Sequence, residues 1–107
     1  MNLEEDMKTL QIGKVIEQLS GEPMLVSEDG ATRSMTIRDL LVQLYPRMSG
    51  KGKENSLSLS STIKDIYGCK EESIELENHD ASILEGAIEG TEPLAWVQTA
   101  ITEAFVE

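Results

Sequence analysis

The chain has 107 residues and carries 20 acidic side chains against nine Lys and Arg, which gives a net charge of −11. This length is typical of one domain, and we expect a single small acidic domain over residues 1–107. The charge argues against direct nucleic-acid binding. No run approaches the roughly 20 apolar residues of a membrane span. An acidic N-terminus without an apolar run and a single cysteine, Cys69, predict a cytosolic protein, with incorporation into a particle built in the cytosol as the alternative.

The first 35 residues contain one undecided segment and one predicted hairpin. Two sets of apolar residues have helical spacing: Leu3, Met7 and Leu10, and then Ile12, Val15, Ile16 and Leu19. Because residues 12–19 fit an extended edge equally well, residues 3–19 are either helix or strand. Residues 22–35 contain a short apolar run followed by Glu-Asp-Gly. Because Asp-Gly accepts the positive φ values of tight turns, this segment is predicted to form a small β-hairpin.

The clearest helix begins after Thr36. Thr36 is predicted to cap its first turn with Asp39 at the reciprocal position, and Pro46 is predicted to end the regular helix near Tyr45. One apolar face is formed by residues at i, i+3, i+4, i+7, i+8 and i+11, which are Ile37, Leu40, Leu41, Leu44, Tyr45 and Met48.

Two further segments follow in the middle of the chain. Residues 49–56, rich in Gly, Ser and Lys, are predicted to form a mobile loop. The second helix is predicted to end at Gly68, a residue type that favours helix C-termini. Its apolar face consists of Leu59, Ile63, Ile66 and Tyr67.

The last third is predicted to be a short extended stretch and two helices. Residues 73–77 alternate apolar and acidic side chains, and a third helix should run from Asn78 or Asp80 to Gly90, burying Ile83, Leu84, Ala87 and Ile88. A fourth helix opens near Pro93, with a face of Leu94, Val97, Ala100, Ile101, Ala104 and Phe105. The predicted fold class is α+β, mainly α, with about four short helices packed with a small N-terminal β-hairpin.

Charge is unevenly distributed along the chain. Residues 71–107 contain ten carboxylates and no Lys or Arg, whereas residues 30–53 have a local excess of positive charge from Arg33, Arg38, Arg47, Lys51 and Lys53. This asymmetry favours contact between the basic part of one copy and the acidic part of another, with Arg47, Lys51 and Lys53 as the candidate residues. Internal pairing or simple solvation of the charges is the alternative.

Candidate partner-binding residues also occur in the acidic part. Glu85 and Glu89 lie one helical turn apart and off the predicted apolar face, so we expect them to meet a basic protein surface. Trp96 lies about 100° from Val97 on the fourth helix, at the margin of the apolar face. It is either a peripheral core residue that covers the hairpin or a partly exposed anchor for a partner.

Catalytic and metal-binding signals are weak. Cys69 and His79 are the only residues of their types, and no nucleophile–base–orienting set is evident around either. The acids between Glu71 and Asp80 lack the order of ligands and glycine found in an EF-hand loop. We therefore predict no enzymatic activity, no cofactor and no metal site.

Three short segments carry a resemblance to a known group. Leu19–Met24 (LSGEPM), Thr36–Leu41 (TIRDLL) and Leu76–Asp80 (LENHD) resemble small proteins of tailed phages and prophages, which share a Gly-x-Pro, polar turn and Thr-Leu-x-Asp opening. The glycine–lysine segment near residue 51 and the acidic end depart from that pattern. The resemblance implies an accessory or structural protein without enzymatic activity, and it carries over no functional residues.

These observations predict a non-enzymatic phage or prophage protein that acts by protein–protein contact, in particle assembly. The partner is expected to be a protein with a basic surface or a second copy, with no direct contact to nucleic acid or membrane. One alternative is a host-directed inhibitor whose acidic surface mimics nucleic acid. A third is a small enzyme that uses Cys69 or His79.

Overall fold

The computed structural model describes residues 7–50 and 52–106, and these residues form an α+β, mainly α fold. The elements in chain order are β1 (Met7–Leu10), β2 (Leu25–Glu28), β3 (Ala31–Ser34), α1 (Ile37–Leu44), a 3₁₀ turn (Tyr45–Arg47), α2 (Gly52–Gly68), β4 (Ile74–Glu77), α3 (Asn78–Gly90), α4 (Ala95–Ala104) and β5 (Phe105–Val106).

A three-stranded antiparallel sheet, in the order β4-β1-β5, joins the two ends of the described chain. In the register, Leu10 of β1 lies opposite both Ile74 and Phe105. Leu10 and Leu76 are buried on the face that meets the helices. Of the two alternatives for residues 3–19, the strand is correct for Met7–Leu10, and Leu3 lies outside the described residues.

The predicted hairpin is present as the separate pair β2–β3. Its two-residue turn has positive φ at Asp29 (52°) and Gly30 (80°), as tight hairpins with the right-handed strand twist require. Arg33 on β3 reaches back across the ribbon to Glu28, with an Nε–Oε2 distance of 2.6 Å. The same guanidinium donates two hydrogen bonds to Asp39 at the start of α1, which ties the hairpin to that helix.

Helix α1 begins as its sequence predicts. The Thr36 hydroxyl accepts from the Asp39 amide, and the Asp39 carboxylate accepts from the Thr36 amide at 2.9 Å, so both halves of the capping box are formed. Ile37, Leu40, Leu41 and Leu44 are buried. After Leu44 the chain tightens into the 3₁₀ turn that contains Pro46, and the changed spacing leaves Tyr45 exposed rather than on the predicted apolar face.

The loop predicted over residues 49–56 is wrong for its second half, because α2 begins at Gly52. The glycines that indicated a mobile loop make a tight entry into the helix. Gly52 has φ of +87°, and a Cβ added to Gly50 would lie only 2.6 Å from the Ser56 amide nitrogen. Leu59, Ile63 and Ile66 are buried as predicted, whereas Tyr67 is 70% exposed because Ile66 occupies the core side of the last turn.

The C-terminus of α2 is capped by a side chain from another helix. Arg38 of α1 donates from Nε to the Ile66 carbonyl at 3.1 Å and from Nη2 to the carbonyls of Cys69 and Glu71. Helix C-termini leave carbonyl groups without intrahelical partners and carry partial negative charge. Since α2 has no basic residue in its last turn, Arg38 supplies both the donors and the positive charge.

Helices α3 and α4 complete the core. Ala81, Leu84, Ala87 and Ile88 of α3 are buried, as are Val97, Ile101 and Ala104 of α4. Leu94, predicted to lie on the apolar face of the fourth helix, precedes α4 and is 68% exposed. No helix within the described ranges is long and apolar enough to cross a membrane.

Candidate protein-binding surfaces

An open groove runs between α4 and the extended segment 14–19, which precedes the hairpin. Its volume is about 1030 Å³. The lining residues are Lys14, Val15, Ile16, Glu17, Gln18, Leu19, Met24, Ile37, Leu94, Ala95, Trp96, Thr99, Ala100 and Glu103. We call this feature the α4 groove.

Exposed apolar side chains are concentrated on the α4 groove. Of the nine large apolar side chains that are exposed in the described part of the chain, Val15, Leu19, Leu94 and Trp96 line it. Leu19 is fully exposed and Trp96 is 40% exposed. Buried Ile16 and Ile37 also belong to the lining. Exposed apolar side chains that share one groove mark a contact site for a partner more often than scattered single residues do.

One wall of the groove is a strand-like edge with unpaired backbone groups. Val15 lies opposite Thr36, and Glu17 lies opposite Pro23, in antiparallel bridges. Four backbone hydrogen bonds flank the two bridges. The Ile16 N–H donates to the Met35 carbonyl, and the Ile16 carbonyl accepts from Met24. The Lys14 carbonyl accepts from Ile37, and the Gln18 N–H donates to the Glu22 carbonyl. Both bridges are therefore non-hydrogen-bonded pairs. The backbone N–H and C=O of Val15 and Glu17 point away from the hairpin and accept or donate no hydrogen bond among the described residues.

The charges lining the α4 groove are unpaired and mainly negative. Glu17 and Glu103 contribute carboxylates and Lys14 contributes an ammonium group. None of the three forms an ion pair with another residue in the described ranges. The groove thus combines apolar surface, open backbone groups and a net negative charge.

The predicted acidic pair lies on the other side of α4. Glu85 and Glu89 line a smaller pocket of about 290 Å³ together with Gln98, Ile101 and Thr102 of α4. At 100° per residue, this flank of α4 is opposite the one that carries Trp96 and Thr99. The structure therefore brings Glu85 and Glu89 together but separates them from Trp96. Glu85 is also engaged within the molecule, 3.6 Å from Lys8 Nζ.

Some of the basic residues of segment 30–53 are engaged in contacts within the molecule. Arg33 binds Glu28 and Asp39, and Arg38 binds the end of α2. Arg47 and Lys53 are exposed, on the 3₁₀ turn and the first turn of α2. Lys51 lies outside the described residues. Internal contacts thus engage two of the five cations, Arg33 and Arg38, although neither pairs with a carboxylate of residues 71–106.

The Arg33–Asp39 pair is formed by two hydrogen bonds from the guanidinium to the two carboxylate oxygens. Hydrogen bonds from the Arg33 guanidinium, supported by bonds from Thr36, lower the pKa of Asp39 to about 2 against the partial burial that would raise it. The same hydrogen bonds to Asp39 and Glu28 raise the pKa of Arg33 above its usual value. One carboxylate therefore serves both the capping box of α1 and the anchor of the hairpin.

The two candidate catalytic residues, Cys69 and His79, lie on different elements: one after the end of α2 and one at the start of α3. Cys69 follows the end of α2, is half-buried against the core and has its Sγ 3.8 Å from the Ser73 carbonyl. His79 is exposed in the first turn of α3. No group of three or more potential metal-ligating side chains is found among the described residues.

Comparison with models of protein families, with curated proteins and with solved structures gives no match for this chain. Sequence reasoning identified Trp96 but missed the opposite wall of the groove, because the apolar residues of segment 12–19 have helical spacing and left it undecided between helix and extended chain. Their one available signal was the extended alternative, which places Val15, Glu17 and Leu19 on one side.

Proposed function

We propose that this chain is a non-enzymatic protein that acts by protein–protein contact, with the α4 groove as its contact surface. The observation that carries this proposal is the clustering of Val15, Leu19, Leu94 and Trp96 as exposed side chains on one groove. Burial of an exposed aliphatic side chain contributes roughly 1.5–3 kcal/mol, and Trp is enriched among the residues that dominate interface energies.

The proposed setting is a phage or prophage particle, in assembly, and the support for it is the sequence resemblance of residues 19–24, 36–41 and 76–80. A small protein that docks on another through an exposed groove fits such a role. The setting and the contact surface are separable, since the groove would serve a partner of any origin.

The test is capture of partners by the wild-type protein, compared with Trp96→Ala and with Tyr67→Ala as the matched control. Tyr67 is an aromatic residue on α2 that is more exposed than Trp96, 70% against 40%, and it does not line the groove. We expect the captured partner to be lost with Trp96→Ala and retained with Tyr67→Ala. Equal retention by both variants, with unchanged stability, would place the contact elsewhere.

A second candidate function is inhibition of a host protein through an acidic surface that mimics nucleic acid. The observation in its favour is that, among the described carboxylates of residues 71–106, Glu85 alone forms an ion pair. The other carboxylates remain available to a basic groove on a partner.

If the acidic surface binds the partner, the association rate should fall as the salt concentration rises, because exposed charges are screened over about 8–10 Å at physiological ionic strength. Glu89→Lys should slow association more than it speeds dissociation. Glu54→Lys, an exposed glutamate on α2, is the matched control. Binding that is independent of salt and unaltered by Glu89→Lys would leave the acidic surface as an aid to solubility only.

A further inference from the structure

We propose that the α4 groove binds an extended peptide segment of a partner protein, which adds as a β-strand to the backbone of Val15 and Glu17 and carries alternating apolar and basic side chains. This inference rests on the proposed function, because it names the partner chemistry of the same groove. It goes further in assigning the contact to main-chain groups rather than to the apolar side chains alone.

The first support is the open edge. The backbone N–H and C=O groups of Ile16 and Gln18 are hydrogen-bonded to the hairpin and the turn before it. Because backbone groups of successive residues in an extended chain point to opposite sides, those of Val15 and Glu17 point outward. Proteins that expose such an edge normally block it with proline, charge or a covering element. Here Glu17 supplies one charge, and the groove beside the edge stays open. A strand placed opposite these two residues would satisfy four backbone groups at once.

The second support is the shape of the groove. Its helical wall extends from Ala95 to Glu103, about 13 Å at 1.5 Å per residue. A strand advances about 3.3 Å per residue, so roughly four peptide residues fit along this wall. Alternate side chains of the peptide would then face the apolar surface of Trp96 and Leu94, while the others lie on the same side as the Glu17 side chain.

The third support is charge. Glu17 and Glu103 are unpaired within the described residues and outnumber Lys14 along the groove. A Lys or Arg in the peptide would meet these carboxylates, and an acidic peptide would be repelled. A second copy is a poor occupant, because each chain has a net charge of −11 and the two would repel.

The experiment measures binding of synthetic octapeptides that alternate Val with Lys. Trp96 is the only tryptophan and lines the groove, so its fluorescence reports occupancy. Amide hydrogen exchange at Val15 and Glu17 reports the added strand. We expect saturating peptide to shift the fluorescence and to slow exchange at both amides, while the Tyr67→Ala variant behaves as wild type.

Two matched peptides isolate the two kinds of contact. Methylation of alternate peptide nitrogens removes donors to the edge and should weaken binding by roughly five- to thirtyfold, the equivalent of one or two net hydrogen bonds. Replacing Lys by Glu should weaken it at least as much at low salt.

Variants of the edge give an independent check. Glu17→Gln removes the charge alone, whereas Glu17→Pro also removes an N–H that makes no internal bond and should be tolerated at an edge. We expect Glu17→Pro to bind several-fold more weakly than Glu17→Gln. If Glu17→Pro does not fold, the N-methylated peptide still decides the question.

Several outcomes would overturn the inference. They are no binding by any alternating basic peptide up to about 1 mM, binding without protection of Val15 and Glu17, or association of the protein with itself through the groove. Capture of a partner that depends on Trp96 without protection of these amides would refute strand addition and leave the proposed function standing.

Discussion

Replacement of Arg38 by alanine tests the link between α1 and the end of α2. The change removes a half-buried guanidinium that donates to the carbonyls of Ile66, Cys69 and Glu71. It should leave α1 intact, because the capping box at Thr36 does not involve the Arg38 side chain.

The magnitude follows from these contacts. A hydrogen bond to a charged group contributes about 1.5–3 kcal/mol, but three bonds from one side chain at a partly exposed site are not additive. We expect a loss of about 2–4 kcal/mol, a large share of the roughly 5–15 kcal/mol typical of a domain. Arg38→Lys keeps the charge but not the planar set of donors, so it should recover only part of the loss.

Urea denaturation at neutral pH is the assay, with Arg47→Ala as the matched control because Arg47 is exposed on the 3₁₀ turn. With an m-value of about 2 kcal/mol/M, Arg38→Ala should lower the midpoint by roughly 1–2 M. Arg47→Ala should stay within about 0.5 kcal/mol of wild type. Equal stability of the two variants would show that the cap contributes nothing.

Three further predictions concern the core, the hairpin anchor and the candidate catalytic residues. Leu41→Ala should cost about 2–5 kcal/mol in denaturant melts because Leu41 is fully buried; a loss under roughly 0.5 kcal/mol would contradict its place in the core. Asp39 has its pKa lowered to about 2 from 3.8, so its contribution, about 1–2 kcal/mol after screening at the exposed Arg33, is fully present about one pH unit above the ordinary pKa and is lost as the pH falls through 2. Acid titration of stability should show this component in wild type and lack it in Asp39→Asn. Cys69→Ser and His79→Ala should leave partner binding unchanged; loss of biological activity in either variant at unchanged stability would indicate an enzyme.

Local signals in the sequence were sufficient for several elements. The 3.6-residue period from Ile37 to Leu44, with Thr36 and Asp39 at capping distance, predicted α1 correctly because helix and cap are both determined within one stretch. Asp29-Gly30 predicted the hairpin for the same reason. The extended stretch before α3 and the helix stops at Gly68 and Gly90 were also correct.

Features that depend on distant partners could not be predicted. β1 is a strand because residues 74–77 and 105–106 pair with it, and its own four residues have no distinctive period. Gly50 and Gly52 indicated a loop in the sequence, but in the fold they admit a tight turn into α2. One wall of the α4 groove was predicted, because helical spacing places Trp96 at the margin of the apolar face. The other wall was not, because the edge at Val15 and Glu17 forms only by pairing with the hairpin.

The position of β1 determines when the fold can be completed. It is the central strand of its sheet, yet its partners β4 and β5 come from the last third of the described chain. During synthesis the hairpin and α1 can form from neighbouring residues, whereas β1 has no sheet partner until residue 74 and lacks its second until residue 105. Closing such long loops is slow compared with local contacts. The central sheet is therefore assembled late, and the apolar side chain of Leu10 remains without its cover while most of the chain is being made.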